Sequence, residues 1–121
     1  MEFDSNKPIY IQIADNICER ILNGEFKCSE RIPSVREWGA RIGCNPNTVA
    51  RSYEILSDRG IIFNQRGIGF FVASDAIDVI KSIERKKFIE EEIPALRNRA
   101  ILLDVNLKEY ILYRIKPICI V

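Results

Sequence analysis

Residues 31–60 read RIPSVREWGARIGCNPNTVARSYEILSDRG, and the punctuation in this stretch predicts two short helices joined by a tight turn. Ser34 precedes Glu37 by three positions, the spacing of a capping box. In that motif the serine hydroxyl accepts from the Glu37 backbone N–H while the carboxylate accepts from the Ser34 N–H. The helix that starts there is expected to run to about Ile42 and stop at Gly43, which adopts the left-handed conformation without a Cβ clash. Cys44 is the turn. Asn45 is a good N-cap for the next helix, and Pro46 suits its first position, where the missing N–H is an orphan in any case. Val49, Tyr53 and Leu56 recur at helical spacing and are expected to face inward, which leaves Asn47, Thr48 and Arg51 on the other side of the opening turns. An amide, a hydroxyl and a guanidinium so placed suit a helix that enters a major groove and reads base edges. An ordinary αα-hairpin with a solvated polar face is the competing expectation from these residues alone.

From Ile61 the periodicity changes. Ile61-Ile62-Phe63-Asn64 and Phe70-Phe71-Val72 are β-prone runs, and Gln65-Arg66-Gly67-Ile68-Gly69 between them carries the glycines of a hairpin turn. A hairpin directly after a recognition helix is the wing of a winged helix-turn-helix, here with Arg66 at its tip, where an arginine can approach phosphates or a narrow minor groove. Gly67 and Gly69 do not make a dinucleotide fingerprint, because Val72 stands at the third glycine position and no strand-to-helix context surrounds them.

These residues resemble the GntR family of bacterial transcription regulators. The resemblance rests on Ile32-Pro33-Ser34-Val35-Arg36-Glu37, Asn45-Pro46-Asn47-Thr48-Val49, Arg51-Ser52-Tyr53, Leu56, Gly60 and Gly67-Ile68-Gly69-Phe70-Phe71-Val72, with Pro8-Ile9-Tyr10-Ile11-Gln12-Ile13 at the start. It covers about residues 3 to 73. It implies a DNA-binding winged helix with DNA-contacting positions at Arg36, Asn47, Thr48, Arg51 and the wing turn Arg66-Gly67, and a candidate site that also takes in Asn45 and Gly69. Four residues depart from the family pattern: Trp38 and Gly39 stand for leucine and alanine, Ser29 for glycine and Phe70 for threonine. None is a base-reading position, and Gly39 inside a helix is expected to cost roughly 0.5–1 kcal/mol relative to alanine.

The chain has 121 residues and a formal net charge of +1, which by itself argues against a polyanion partner. The distribution argues otherwise. Residues 1–30 hold three basic and six acidic side chains, net −3, whereas residues 31–66 hold six basic and three acidic, net +3. Every basic residue in the second stretch is arginine, which suits bidentate contacts. No apolar run approaches the ~20 residues of a membrane span and no signal peptide precedes the acidic start, so a cytoplasmic protein is expected. Cys18, Cys28, Cys44 and Cys119 are scattered without a C-x-x-C pair, and histidine is absent. No metal centre and no cofactor are expected, the cysteines reading as reduced, idle thiols. The commonest general base is missing, and nothing combines a nucleophile with a base and an orienting group, so no enzyme is expected.

Residues 8–23 are expected to form the scaffold helix, with Pro8 near its start and Gly24 after its end; Ile9, Ile13, Ile17 and Ile21 recur every four residues. The expected core is Ile13, Ile17, Ile21, Ile32, Val35, Trp38, Ile42, Val49, Tyr53 and Leu56. After Ala73, Ser74 or Asp75 can cap a helix that runs without a breaker from Ala76 to Glu92. Pro94 then either kinks it or starts another, continuing to about Leu103 with Ile89, Ile93, Leu96, Ala100 and Leu103 on one face. Asn106 is placed to cap a last helix from Leu107 to Ile115, closed by Pro117.

The expected fold is therefore mainly α with a small β-hairpin wing: a winged helix-turn-helix over residues 1–74 and a helical dimerisation region over 75–121. So short a region cannot bury its apolar surface alone, and a two-fold homodimer is the simplest way to cover it. Among GntR proteins, a short all-helical C-terminal part resembles the YtrA-like subfamily, whose members dimerise through it. The resulting expectation is a homodimeric repressor on a palindromic double-stranded DNA operator, with any small-molecule effector unknown. The competing functions are a winged-helix protein-interaction module and a ligand-gated sensor.

Overall fold

The scaffold helix α1 (Ile9–Leu22) starts at Pro8, whose carbonyl accepts from the Ile11 and Gln12 N–H groups, and ends where Gly24 turns left-handed at φ 81°. The structure in hand is a computed structural model that describes residues 6–114. The chain divides into two compact units, Met1–Ser82 and Ile83–Val121.

In the first unit α1 packs against α3 (Pro46–Asp58), which also packs against α2 (Val35–Ile42). The local signals act as their chemistry dictates. Glu37 N–H donates to Ser34 Oγ at 3.1 Å and Ser34 N–H to Glu37 Oε1 at 3.3 Å, closing the capping box, and Gly43 ends α2 at φ 72°. Asn45 Oδ1 accepts from the Asn47 N–H at 2.8 Å, opening α3.

Strands β1 (Ile62–Gln65) and β2 (Gly69–Val72) form an antiparallel hairpin in which Ile62 faces Val72 and Gln65 faces Gly69. Its turn closes with Ile68 N–H donating to the Gln65 carbonyl, and Gly67 takes a left-handed φ of 79° there. The other edge of β2 is not left open: Ser29 and Ile32 N–H groups donate to Val72 and Phe70 carbonyls, and Val72 N–H to Glu30. The wing root is thus stitched to the segment that leads into α2.

The core joins Ile13, Ile17 and Ile21 to Ile32, Trp38, Val49, Tyr53, Leu56, Ile61, Ile62 and Val72. Val35 and Ile42, expected in this core, are only half-buried and pack on its rim, because they are the first and last residues of the eight-residue α2, which buries its middle at Trp38 and Gly39. Trp38 lies edge-on to Phe26 at 5.4 Å, with the Arg20 and Arg41 guanidinium carbons 4.8 and 5.8 Å from its ring. Tyr53 meets Phe70 edge-on at 5.0 Å, and its hydroxyl donates to the Pro33 carbonyl at 2.6 Å.

Gly39 corrects an expectation. A Cβ there would stand 2.7 Å from the Cys44 carbonyl oxygen, and the Cys44 N–H donates to the Gly39 carbonyl. The glycine admits the close approach of α2 to the turn, so its helix-propensity cost is offset by contact rather than lost. Cys18, Cys28 and Cys44 are free thiols; Cys119 lies outside the described residues.

Helix α4 (Ala76–Lys87) closes the first unit with Ala76 and Ile80 in its core. The backbone then stays helical through a widened turn, Phe88–Glu92, into α5 (Ile93–Leu102). This answers the question left by Pro94: the helix continues. Ile93 N–H donates five residues back to Phe88, and such a π turn accommodates a proline that has no N–H and whose ring would crowd the carbonyl four residues earlier. Helix α6 (Leu107–Glu109) passes into a second widened turn, Tyr110–Arg114. Asn106 precedes α6 without a side-chain cap bond. The expected end at Ile115 and the closure by Pro117 lie outside the described residues. Of residues 83–112 only Ala100 is buried; Phe88, Ile89, Ile93, Leu96, Ile101, Leu102 and Leu103 are exposed.

Candidate nucleic-acid interface

The first turns of α3 combine a rigid inner face with a polar outer one. Val49, Ser52, Tyr53 and Leu56 are buried, so the helix cannot rotate about its axis without opening the core. Asn47 and Arg51 are exposed and Thr48 is half-exposed on the other side. The opening N–H groups of α3 are already spent, since Pro46 has none and those of Asn47 and Thr48 donate to the Asn45 side-chain and main-chain oxygens, so what this helix end offers an anion is the positive end of the macrodipole.

Arg36 in the first turn of α2 and Arg66 at the wing tip are likewise exposed. Among the described residues Arg36, Arg51 and Arg66 make no ion pair and no side-chain hydrogen bond, so three guanidinium forks keep their donors for a partner. The one acid within the α2 segment is committed elsewhere: the Ser34 backbone N–H, and after it the Ser34 hydroxyl, hold the Glu37 carboxyl below its usual range. Burial pushes the Tyr53 phenol well up, so it is a neutral donor to Pro33 rather than a site charge.

Two of the expected site residues have a defined structural task. Asn45 caps α3. Gly69, at φ 145°, makes room for Arg31: a Cβ there would lie 2.7 Å from Arg31 Nε. Arg31 thus packs its side chain along the wing root. It was counted in the basic stretch but not placed in the site, since only the bridge between Arg31 and Phe71 brings it there. Tyr10 was also missed; its ring lies under the Arg51 guanidinium at 3.8 Å, a pairing across 41 residues with no local sequence signal beyond the aromatic itself.

Comparison with known proteins settles the family. The family model "Bacterial regulatory proteins, gntR family" matches residues 9–72. The chain belongs to the GntR family. It is 38% identical over 91 residues to the HTH-type transcriptional regulator YhcF of Bacillus subtilis, an alignment that takes in 74% of this chain and 75% of that one. With the B. subtilis HTH-type transcriptional repressor YtrA it shares 42% identity over 72 residues, 60% of this chain and 55% of YtrA. Its fold is similar to a putative GntR-family regulator from Bacteroides thetaiotaomicron, with TM-score 0.72, 46% identity, and 84% and 88% of the two chains covered. It is also similar to the DNA-binding domain of AraR solved with operator ORR3, with TM-score 0.54, 27% identity, and 60% and 86% covered. This GntR chain is therefore a DNA-binding transcriptional regulator with a winged-helix domain, and its likeness to YtrA and YhcF is consistent with the YtrA-like subfamily. No helix among the described residues is long and apolar enough to cross a membrane.

Proposed function

We infer that this regulator acts in the cytoplasm as a homodimeric repressor that binds a two-fold symmetric DNA operator. The observation that carries the reading is the set of three exposed guanidinium groups, Arg36, Arg51 and Arg66, on the arginine-rich stretch around α3, none of which spends an N–H donor in an ion pair or side-chain hydrogen bond among the described residues. In this proposal Arg51 makes a bidentate contact to guanine, and Asn47 and Thr48 add base-edge or phosphate bonds. Arg36 and Arg66 hold phosphates, Asn45 presents the capped helix end, and Gly67 and Gly69 let the wing backbone come close. The AraR domain bound to its operator supports a duplex as the partner, and the repressor name of YtrA supports the sign of regulation.

Residues 75–121 serve as the dimerisation region in this proposal. Its first turns are held in the first unit's core by Ala76 and Ile80, but residues 83–112 bury only Ala100 and expose Phe88, Ile93, Leu96 and Leu102, more apolar surface than a stable monomer keeps in water, and a second copy covers it at no cost in new sequence. Two recognition helices then enter successive major grooves, with half-sites roughly 10 bp apart.

Selection of bound sequences from random duplexes tests the whole proposal. The expected product is an inverted repeat with that spacing, bound with a steep salt dependence by a two-chain species. A pool without an enriched sequence, or a chain that sediments as a monomer on its selected site, would sink it.

A further inference from the structure

Arg51 reaches from the second turn of α3 back to the first turn of α1, where its guanidinium carbon lies 3.8 Å from the centre of the Tyr10 ring. At that separation the flat cation sits against the π face, the geometry of a cation–π stack. The ring is not free to drift. Ser52, the next residue along α3, is fully buried, and its Oγ donates to the Tyr10 backbone carbonyl at 2.6 Å. The main chain that carries the ring is thus tied to α3 one residue past the arginine that the ring supports.

An exposed arginine ordinarily samples many rotamers and loses that freedom when it binds. Stacking removes part of it in advance. The ring occupies only the face of the guanidinium, however, and the N–H donors lie in its plane and point past the edge. Arg51 is exposed and, among the described residues, has no ion pair or side-chain hydrogen bond. Its fork is therefore aligned and unspent.

We propose that Tyr10 is a positioning residue for Arg51, a flat platform that holds the arginine fork ready for a bidentate acceptor such as the N7 and O6 edge of guanine. This rests on the inferred base-reading role of Arg51. The platform needs an aromatic face and not a hydroxyl, so phenylalanine serves and leucine does not.

The test titrates the full chain with the duplex that it selects from a random pool, with single base-pair variants of that duplex, and with an unrelated duplex. The proteins are the parent, Tyr10→Phe, Tyr10→Leu, Arg51→Ala and the Tyr10→Leu/Arg51→Ala double variant. Tyr10→Leu is expected to weaken binding roughly two- to fivefold, Tyr10→Phe less than about twofold, and Tyr10→Leu to add nothing once Arg51 is alanine. The loss should concentrate at the base pair where Arg51→Ala relaxes discrimination. In the free protein, ring-current shifts of the Arg51 side-chain protons should persist in Tyr10→Phe and vanish in Tyr10→Leu, a signature that packing alone does not produce. A phenylalanine variant as weak as the leucine one, or a Tyr10→Leu loss that persists in full without Arg51, overturns the proposal. Equal losses for Arg51→Ala on selected and unrelated duplexes would instead defeat base reading, while non-additivity with Tyr10 would uphold the platform beneath a phosphate-binding arginine.

Discussion

Replacing Tyr53 by phenylalanine deletes one oxygen from the centre of the DNA-binding unit and little else. The ring is buried and stays edge-on to Phe70, so no cavity of consequence opens. What is lost is the 2.6 Å hydrogen bond to the Pro33 carbonyl, and no backbone donor among the described residues replaces it. The bond is only part-buried, so its loss costs about 0.5–1.5 kcal/mol, the net worth of a typical intramolecular hydrogen bond. In a unit of about 80 residues each kcal/mol moves the melting midpoint by about 4–8 °C, so a fall of roughly 2–12 °C is expected. The pH dependence sharpens the test. Burial raises the phenol's pKa in the folded state, whereas the unfolded phenol ionises near its usual value of about 10. The tyrosine's contribution is therefore complete below about pH 10 and is lost as pH rises toward the folded value. Melts of both proteins at a series of pH values should show the parent ahead at neutral pH and its lead shrinking in alkali; the remaining tyrosines, present in both, cancel in the difference. A phenylalanine variant that melts within about 2 °C of the parent, or a lead that ignores alkaline pH, would refute the assignment.

Four further outcomes follow from other residues. Arg51→Ala should weaken operator binding by about 1–3 kcal/mol in a titration while binding to unrelated duplex falls far less, and equal losses would remove it from base reading. Replacing Arg66 by alanine should weaken binding on all sequences and flatten the salt dependence by about one unit, which a titration over several salt concentrations measures. Ser29→Gly should stabilise the fold by about 0.5–1 kcal/mol in urea, because Ser29 is held at φ 67° where a side chain is strained, against the larger backbone freedom glycine adds to the unfolded chain. The Ser34–Glu37 box, whose carboxyl is held below its ordinary value of 4.5, should stabilise the fold above that pH and lose its contribution as pH falls through the lower folded value; the gap between parent and Glu37→Ala in acid melts tracks it.

How much of this was legible in the sequence depends on how far apart the interacting residues lie. Ser34 with Glu37, Gly43 closing α2, and Asn45 with Pro46 opening α3 are separated by a few positions, and each acts as its local chemistry predicts. The two β-prone runs on either side of the glycine-bearing turn likewise located the wing. What spacing did not disclose is set by contacts across the fold. Gly39 looks like a weak helix residue until the Cys44 carbonyl is found beside it. Gly69 looks like part of a turn until the Arg31 side chain fills its missing Cβ. Tyr10 is one residue of the opening Pro8–Ile13 motif until Arg51 is found stacked on its ring. Ser29 is the reverse case: its departure from glycine was visible, and the positive φ that makes it matter was not. Pro94 could not be resolved from sequence because a proline in a helical run is equally consistent with a break or a kink, and the widened turn that absorbs it has no sequence signature of its own.

The surroundings of Trp38 have a practical consequence. It is the chain's single tryptophan, and it is buried in the first unit among Phe26, Arg20 and Arg41. Intrinsic fluorescence is thus a private optical channel onto that unit, blue-shifted while the indole stays dry, whereas far-ultraviolet dichroism sums the helices of both. Midpoints that coincide by the two methods would report one cooperative transition, and midpoints that separate would reveal the order in which the reading head and the C-terminal helices come undone.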